Sequence, residues 1–154
     1  MFQIKYIFSN SYEQSDVSYD SIDDTALRYS LFLGSLSLEI KSSRIELDWE
    51  WIPLLDFAVC FLSFYLEFFG KNDLKKQFEF TESDGLLFVE RVGSKISIST
   101  SYSDEKIEMS FDEFSSGVKS FYISLTDEIK DRYDGIELNK NYITYDNKKS
   151  KLSM

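Results

Sequence analysis

The chain has 154 residues, 43% of them hydrophobic and 29% charged, which is enough to bury one core and too apolar for a disordered protein. Its 27 acids against 17 bases give a net charge of −10, so direct binding to polyanionic nucleic acid or to an anionic membrane is not expected. With no histidine and a single cysteine, imidazole-based catalysis, an internal disulfide and multi-cysteine metal or cluster sites are excluded.

Met1 to Phe8 alternates apolar and polar residues with no long apolar run, which predicts a first strand rather than a signal peptide and, with the lone Cys60, a cytoplasmic protein. Asn10 to Thr25 carries Glu13, Asp16, Asp20, Asp23 and Asp24 among Ser and Tyr without one base, the composition of an exposed loop. Its aspartates lack the glycine and the spacing of a calcium loop, so no metal is expected. Leu27, Tyr29, Leu31 and Leu33, then Leu36, Leu38 and Ile40 past Gly34, fall at period two and predict half-buried strands. Ser42-Ser43 reads as a turn into a third short strand through Ile45 and Leu47.

From Asp48 to Pro53 the period changes, and acids followed by Pro53 predict a helix start. The run Leu54 to Phe69 is apolar nearly all round and closes at Gly70, a C-cap candidate. Its polar residues Asp56, Ser63 and Glu67 lie with Cys60 on one narrow stripe. Pro53, Asp56 and Glu67 argue against a membrane span and for a central core helix. Asp56 and Glu67 stand about 16 Å apart along the axis, beyond the roughly 6.5–9.5 Å of an inverting glycosidase pair. They read as a solvent-facing edge or as partners of Tyr or Arg, and Cys60 as an inert core thiol.

Period two returns at Phe78 and Phe80. Ser83-Asp84-Gly85 and Gly93-Ser94 read as turns, and Leu86–Val92, Ile96/Ile98 and Ile107/Met109 complete a four-stranded antiparallel meander. Ser110-x-x-Glu113 has the form of a capping box. Phe111, Phe114, Val118, Phe121, Leu125 and Ile129 then define an amphipathic helix to about Tyr133. Residues 139–154 form a basic polar tail of charge +3, leaving −13 on residues 1–138, with Tyr142, Ile143 and Tyr145 as its anchors.

The expected architecture is a single α+β domain. A curved antiparallel sheet of about six to seven strands, including the C-terminal four-stranded meander, carries two helices packed on one face. No catalytic, cofactor-binding or metal-binding residue is expected. Tyr12, Tyr19, Trp49, Trp51 and Tyr102 lie in or near loops, and such side chains are favoured anchors at protein interfaces. Glu13, Asp16, Tyr19, Asp20, Asp23, Asp24, Tyr102 and Asp104 are the candidate partner-binding set.

Trp49-x-Trp51-x-Pro53-Leu54-Leu55-Asp56-Phe57 opens the apolar helix. Phe78-x-Phe80-Thr81-Glu82-Ser83-x-Gly85 leads through Ile96-x-Ile98 to Ser110-Phe111-Asp112-x-Phe114. This layout, over roughly residues 30–130, resembles small bacterial cytosolic immunity proteins of polymorphic-toxin and contact-dependent growth inhibition systems. The resemblance implies a non-enzymatic protein that binds and blocks a cognate toxin domain, basic where the toxin is a nuclease; the chain is expected to be a monomer or weak homodimer. It carries over no functional residue. The competing readings are a carboxylate-based enzyme acting on sugars and an adaptor that self-associates through the 52–69 helix.

Overall fold

The computed structural model describes residues 1–9, 17–80 and 83–152. Three antiparallel strands, β1 (Phe2–Phe8), β2 (Leu33–Ile40) and β3 (Ser43–Pro53), form one sheet in the order β1-β2-β3. A second sheet is the expected meander of β4 (Asp73–Glu79), β5 (Leu86–Val92), β6 (Lys95–Thr100) and β7 (Lys106–Ser110). The helices are α1 (Asp24–Tyr29), α2 (Leu54–Phe68), α3 (Phe111–Arg132) and α4 (Lys140–Asn147), with short 3₁₀ turns at Ile136–Leu138 and Lys148–Lys151. The fold is α+β, with its seven strands divided between two sheets rather than joined in one. The division falls where α2 interrupts the chain between β3 and β4, and β7 instead lies against β2 and β3.

Helix α2 is the central element, with ten of its 15 residues buried. Phe57 stacks on Phe61 at 4.3 Å and meets Phe78 of β4 and Phe121 of α3 edge-on. Phe61 and Phe68 both reach Phe114 of α3, which also stacks on Phe2 of β1. Two helices thus share one aromatic seam with both sheets, where each ring contributes large area and the pairs add edge and offset contacts. The Ser110–Glu113 capping box forms in full, with 3.0 Å bonds in both directions. Gly70 adopts φ +73° just past α2, as its cap position requires. Among the described residues no helix is long and apolar enough to cross a membrane.

Three local expectations change. Residues 27–31 are not strand: Asp23 accepts from the Ala26 N–H at 2.8 Å and caps α1, and Leu27 and Leu31 are buried at helical spacing. Over so short a run, a leucine pair four apart satisfies either period. Asp48 to Pro53 does not begin the helix but extends β3, because the residue before a proline is held extended. Pro53 becomes the residue from which α2 departs.

The tail is not a loose polar extension. Tyr142 and Tyr145 of α4 are buried, while Ile143 stays 41% exposed. The Tyr142 hydroxyl donates to the Thr126 carbonyl, and the Tyr122 hydroxyl donates to the Tyr145 carbonyl at 2.7 Å. Lys149 pairs with Asp127 and, at 2.6 Å, with Asp146, which also accepts from Lys130 at 3.1 Å. Burial alone would raise the Asp146 carboxyl, but the hydrogen bonds and charges of Lys149 and Lys130 outweigh it and hold the group below the usual aspartate range. A depressed folded pKa stabilises above the unfolded value of about 3.9 and is lost as pH falls through the folded one. Asp146→Asn is therefore expected to cost about 1 kcal/mol at pH 7 and progressively less as pH falls below about 4, measured by urea unfolding of both proteins across that range.

Candidate functional site

The pairing of β2 with β3 contains a wide irregularity. Gly34 faces Ile52 and Leu36 faces Leu47, so Asp48 to Trp51 stand opposite Ser35 alone. The surplus residues loop out of the strand, and Glu50 takes a left-handed φ of +65°, its N–H donating to Ser35 Oγ at 3.2 Å. Bulges of this kind re-aim side chains, and a non-glycine residue held at positive φ is a local cost that the surrounding fold must sustain. Here the bulge draws two indoles together. Trp49 and Trp51 stack at 5.3 Å with 9° between their planes.

Two further segments complete an aromatic shelf. Phe80, just past β4, meets Trp49 edge-on at 5.0 Å and Trp51 at 6.3 Å. Tyr102, in the β6–β7 connection, lies 5.4 Å from Trp49. A Cβ on Gly85 would come within 3.2 Å of the Tyr102 ring and 3.4 Å of Phe80, so the bare glycine keeps room for both. Phe80 is the buried floor, the indoles are half-buried, and Tyr102 is 43% exposed. Burial, then the charge of Glu105, pushes the Tyr102 hydroxyl up to about 12, so it remains a proton donor at neutral pH. The segments that carry the shelf also carry Asp48, Glu50, Asp84, Asp104 and Glu105, all exposed, and none forms a salt bridge with a described residue. The result is an apolar patch on acidic segments, an arrangement that suits a partner with basic residues around an apolar anchor.

The partner-binding set expected from sequence divides. Tyr102 and Asp104 belong to the shelf. Glu13 and Asp16 lie outside the described residues. The others serve the fold: Tyr19 packs edge-on against Tyr133 at 5.1 Å, and its carbonyl accepts from Asn139. Asp20 accepts from Ser18 at 2.6 Å, Asp23 caps α1, and Asp24 accepts from the Tyr145 hydroxyl. Trp49 and Trp51 are among the expected loop-borne interface anchors but not in the expected partner-binding set, and Phe80 is in neither. The legible signal was the Trp-x-Trp spacing, which on a strand places both indoles on one face.

The polar stripe of α2 resolves into separate partners. Asp56 is buried and takes both Nε (2.8 Å) and Nη2 of Arg28, whose Nη1 lies 3.4 Å from the Tyr145 hydroxyl. Cys60 Sγ stands 3.9 Å from the same carboxylate, and burial followed by that charge pushes its thiol up to about 11. Glu67 pairs instead with Lys76 at 3.1 Å. A shallow recess of about 290 Å³ on the outer face of the three-stranded sheet holds Glu39 and Glu46, paired with Lys5 and Arg44 respectively. The Ser37 hydroxyl, and then Lys5, lower the Glu39 carboxyl, opposite to what a general acid at neutral pH requires. Among the described residues no three His, Cys, Asp or Glu side chains converge as a metal site would need. Compared with protein-family models, with curated proteins and with solved structures, the chain matches none.

Proposed function

We propose that this chain is a non-enzymatic binding protein that occludes a basic site on a protein partner through the Trp49–Trp51–Tyr102 shelf, as an immunity protein neutralises its cognate toxin domain in the cytoplasm. The observation that carries this reading is the stacked indole pair, held half-exposed by a strained bulge, on segments that also carry exposed carboxylates without salt-bridge partners among the described residues. Rigid Trp and Tyr anchors supply area at low entropic cost, while unmatched acids steer a basic partner and raise the association rate. The single thiol of Cys60, half-buried and held protonated, is compatible with a reducing compartment.

The test is binding to the product of the neighbouring gene, the position a toxin would occupy. A complex is expected at micromolar concentration or tighter in low salt. Trp49→Ala is expected to weaken it by about 2 kcal/mol, roughly thirtyfold, chiefly through faster dissociation. Neutralising Asp48, Glu50 and Asp104 together is expected to slow association and flatten its salt dependence. No complex, or one indifferent to Trp49→Ala, overturns the reading.

A further inference from the structure

The surface of this acidic protein contains a groove of opposite sign. It runs between the outer face of α2, helix α3 and the C-terminal 3₁₀ turn, and encloses about 390 Å³. Val59, Leu62, Leu66 and Leu152 make its floor and walls. Leu66 is 56% exposed, and Phe69 one turn on is 58% exposed, so an apolar stripe of the central helix is left uncovered at this edge. Three lysines, Lys119, Lys148 and Lys151, line the same groove.

None of these three forms a salt bridge with a described residue; Lys119 lies over the Tyr65 ring at 5.0 Å and Lys148 over Tyr145 at 5.7 Å. Their neighbour Lys149, on the same 3₁₀ turn, is neutralised by two carboxylates. In a chain with ten more acids than bases, leaving three lysines unmatched around an apolar floor is a specific arrangement. We propose that this groove binds an acidic amphipathic segment of a second protein, apolar anchors entering between α2 and the 3₁₀ turn and flanking carboxylates meeting Lys119, Lys148 and Lys151. Cations spread over two elements suit several carboxylates along a peptide better than the single head of a fatty acid, and a body this acidic is repelled from an anionic bilayer. The groove shares no residue with the aromatic shelf, so it goes beyond the function proposed above and stands or falls separately.

A labelled helical peptide with Leu at i, i+3, i+4 and i+7 and Glu elsewhere is the probe, followed by fluorescence anisotropy and by amide shifts of the full chain. The overall charge of the protein predicts repulsion of such a peptide, so saturable binding is a demanding outcome. The expected result is binding below about 100 µM, weakened at least tenfold by 0.5 M salt or by Lys119→Gln/Lys148→Gln/Lys151→Gln, and unchanged by Trp49→Ala. The triple variant should stay folded with only a small loss of stability, since two cation–π contacts but no ion pair within the described residues are lost, and Leu66→Ser gives a second, uncharged disruption of the same groove. Absence of saturable binding, amide shifts confined to another face, or indifference to both groove variants overturns the proposal. Displacement of the peptide by dodecanoate or by phosphatidylglycerol vesicles at lower concentration makes the occupant a lipid and overturns it as well. A dimer in sedimentation that Leu66→Ser abolishes assigns the groove to a second copy, and the proposal of an acidic partner segment then falls too.

Discussion

Asp56→Ala is expected to destabilise the protein by about 3 kcal/mol or more, the lower end of the range for removing one partner of a buried ion pair. Asp56 is 8% exposed and Arg28 20%, so the guanidinium left behind has little water to turn to. Burial alone would lower the Arg28 pKa, but Tyr145 and Asp56 outweigh it and hold the group charged, so it cannot escape by deprotonation. Its remaining partner, the Tyr145 hydroxyl, already donates to Asp24. The pair ties α1 to α2, and through Tyr145 it reaches α4, so the loss should be felt across three helices at once. Replacing both partners, Arg28→Met with Asp56→Leu, is expected to recover most of the stability, because no uncompensated charge then remains. Urea unfolding of the two single variants and the double variant measures the coupling directly. A single-variant loss below 1 kcal/mol would show the pair to be a solvated contact instead.

Gly34→Ala is expected to cost about 3 kcal/mol, at the upper end for overpacking, because the obstacle is main chain. A Cβ at this position would sit 2.1 Å from the Ile7 carbonyl oxygen and 2.9 Å from Leu54 Cδ1. A leucine tip can rotate away. The carbonyl belongs to the β1–β2 ladder, where Phe8 faces Gly34, so the strands would have to part by about an ångström. Gly34 also pairs with Ile52, the residue after Trp51, so the strain enters the bulge that stacks the indoles. Tryptophan fluorescence should therefore change in the folded variant. Gly70→Ala is the control: nothing lies within 4 Å of its added Cβ, and only its φ of +73° opposes alanine, for an expected loss of about 1 kcal/mol. Equal losses at the two sites, by thermal and urea unfolding, would contradict the steric account.

The meander was legible because its strands alternated, or in Leu86–Val92 ran apolar on both faces as a central strand does, and each turn had its own chemistry, as at Gly93, which takes φ +62° between β5 and β6. The capping box marked the start of α3 for the same local reason. At the second strand region, Leu27 and Leu31 fitted both periods, and a cap formed by Asp23 decided for helix. The aromatic shelf was legible only in part. Tyr102, Trp49 and Trp51 stood out as aromatic anchors in or near loops, but the two indoles also fell where the pattern suggested a helix start and lay outside the expected partner-binding set. What makes them a surface is the register slip against Ser35, set by pairing with a strand remote in sequence. Likewise Asp20, Asp23 and Asp24 looked free, and are engaged by Ser18, by the first turn of α1 and by Tyr145.

By itself the sequence determined the α+β class, the strand-rich makeup and the apolar helix at the centre, together with a strong net negative charge and the absence of imidazole. These depend on local period, turn chemistry and composition, which a single chain carries in full. Tertiary structure alone decided where the charges end up. It folded the +3 tail against the acidic body as α4, matched Lys149 to Asp127 and Asp146, and left five exposed carboxylates on the shelf's segments and three lysines around a groove without salt-bridge partners among the described residues. Charge matching is set by which residues meet across the fold. It cannot be counted from composition, so a chain of net −10 presents two surfaces of opposite sign.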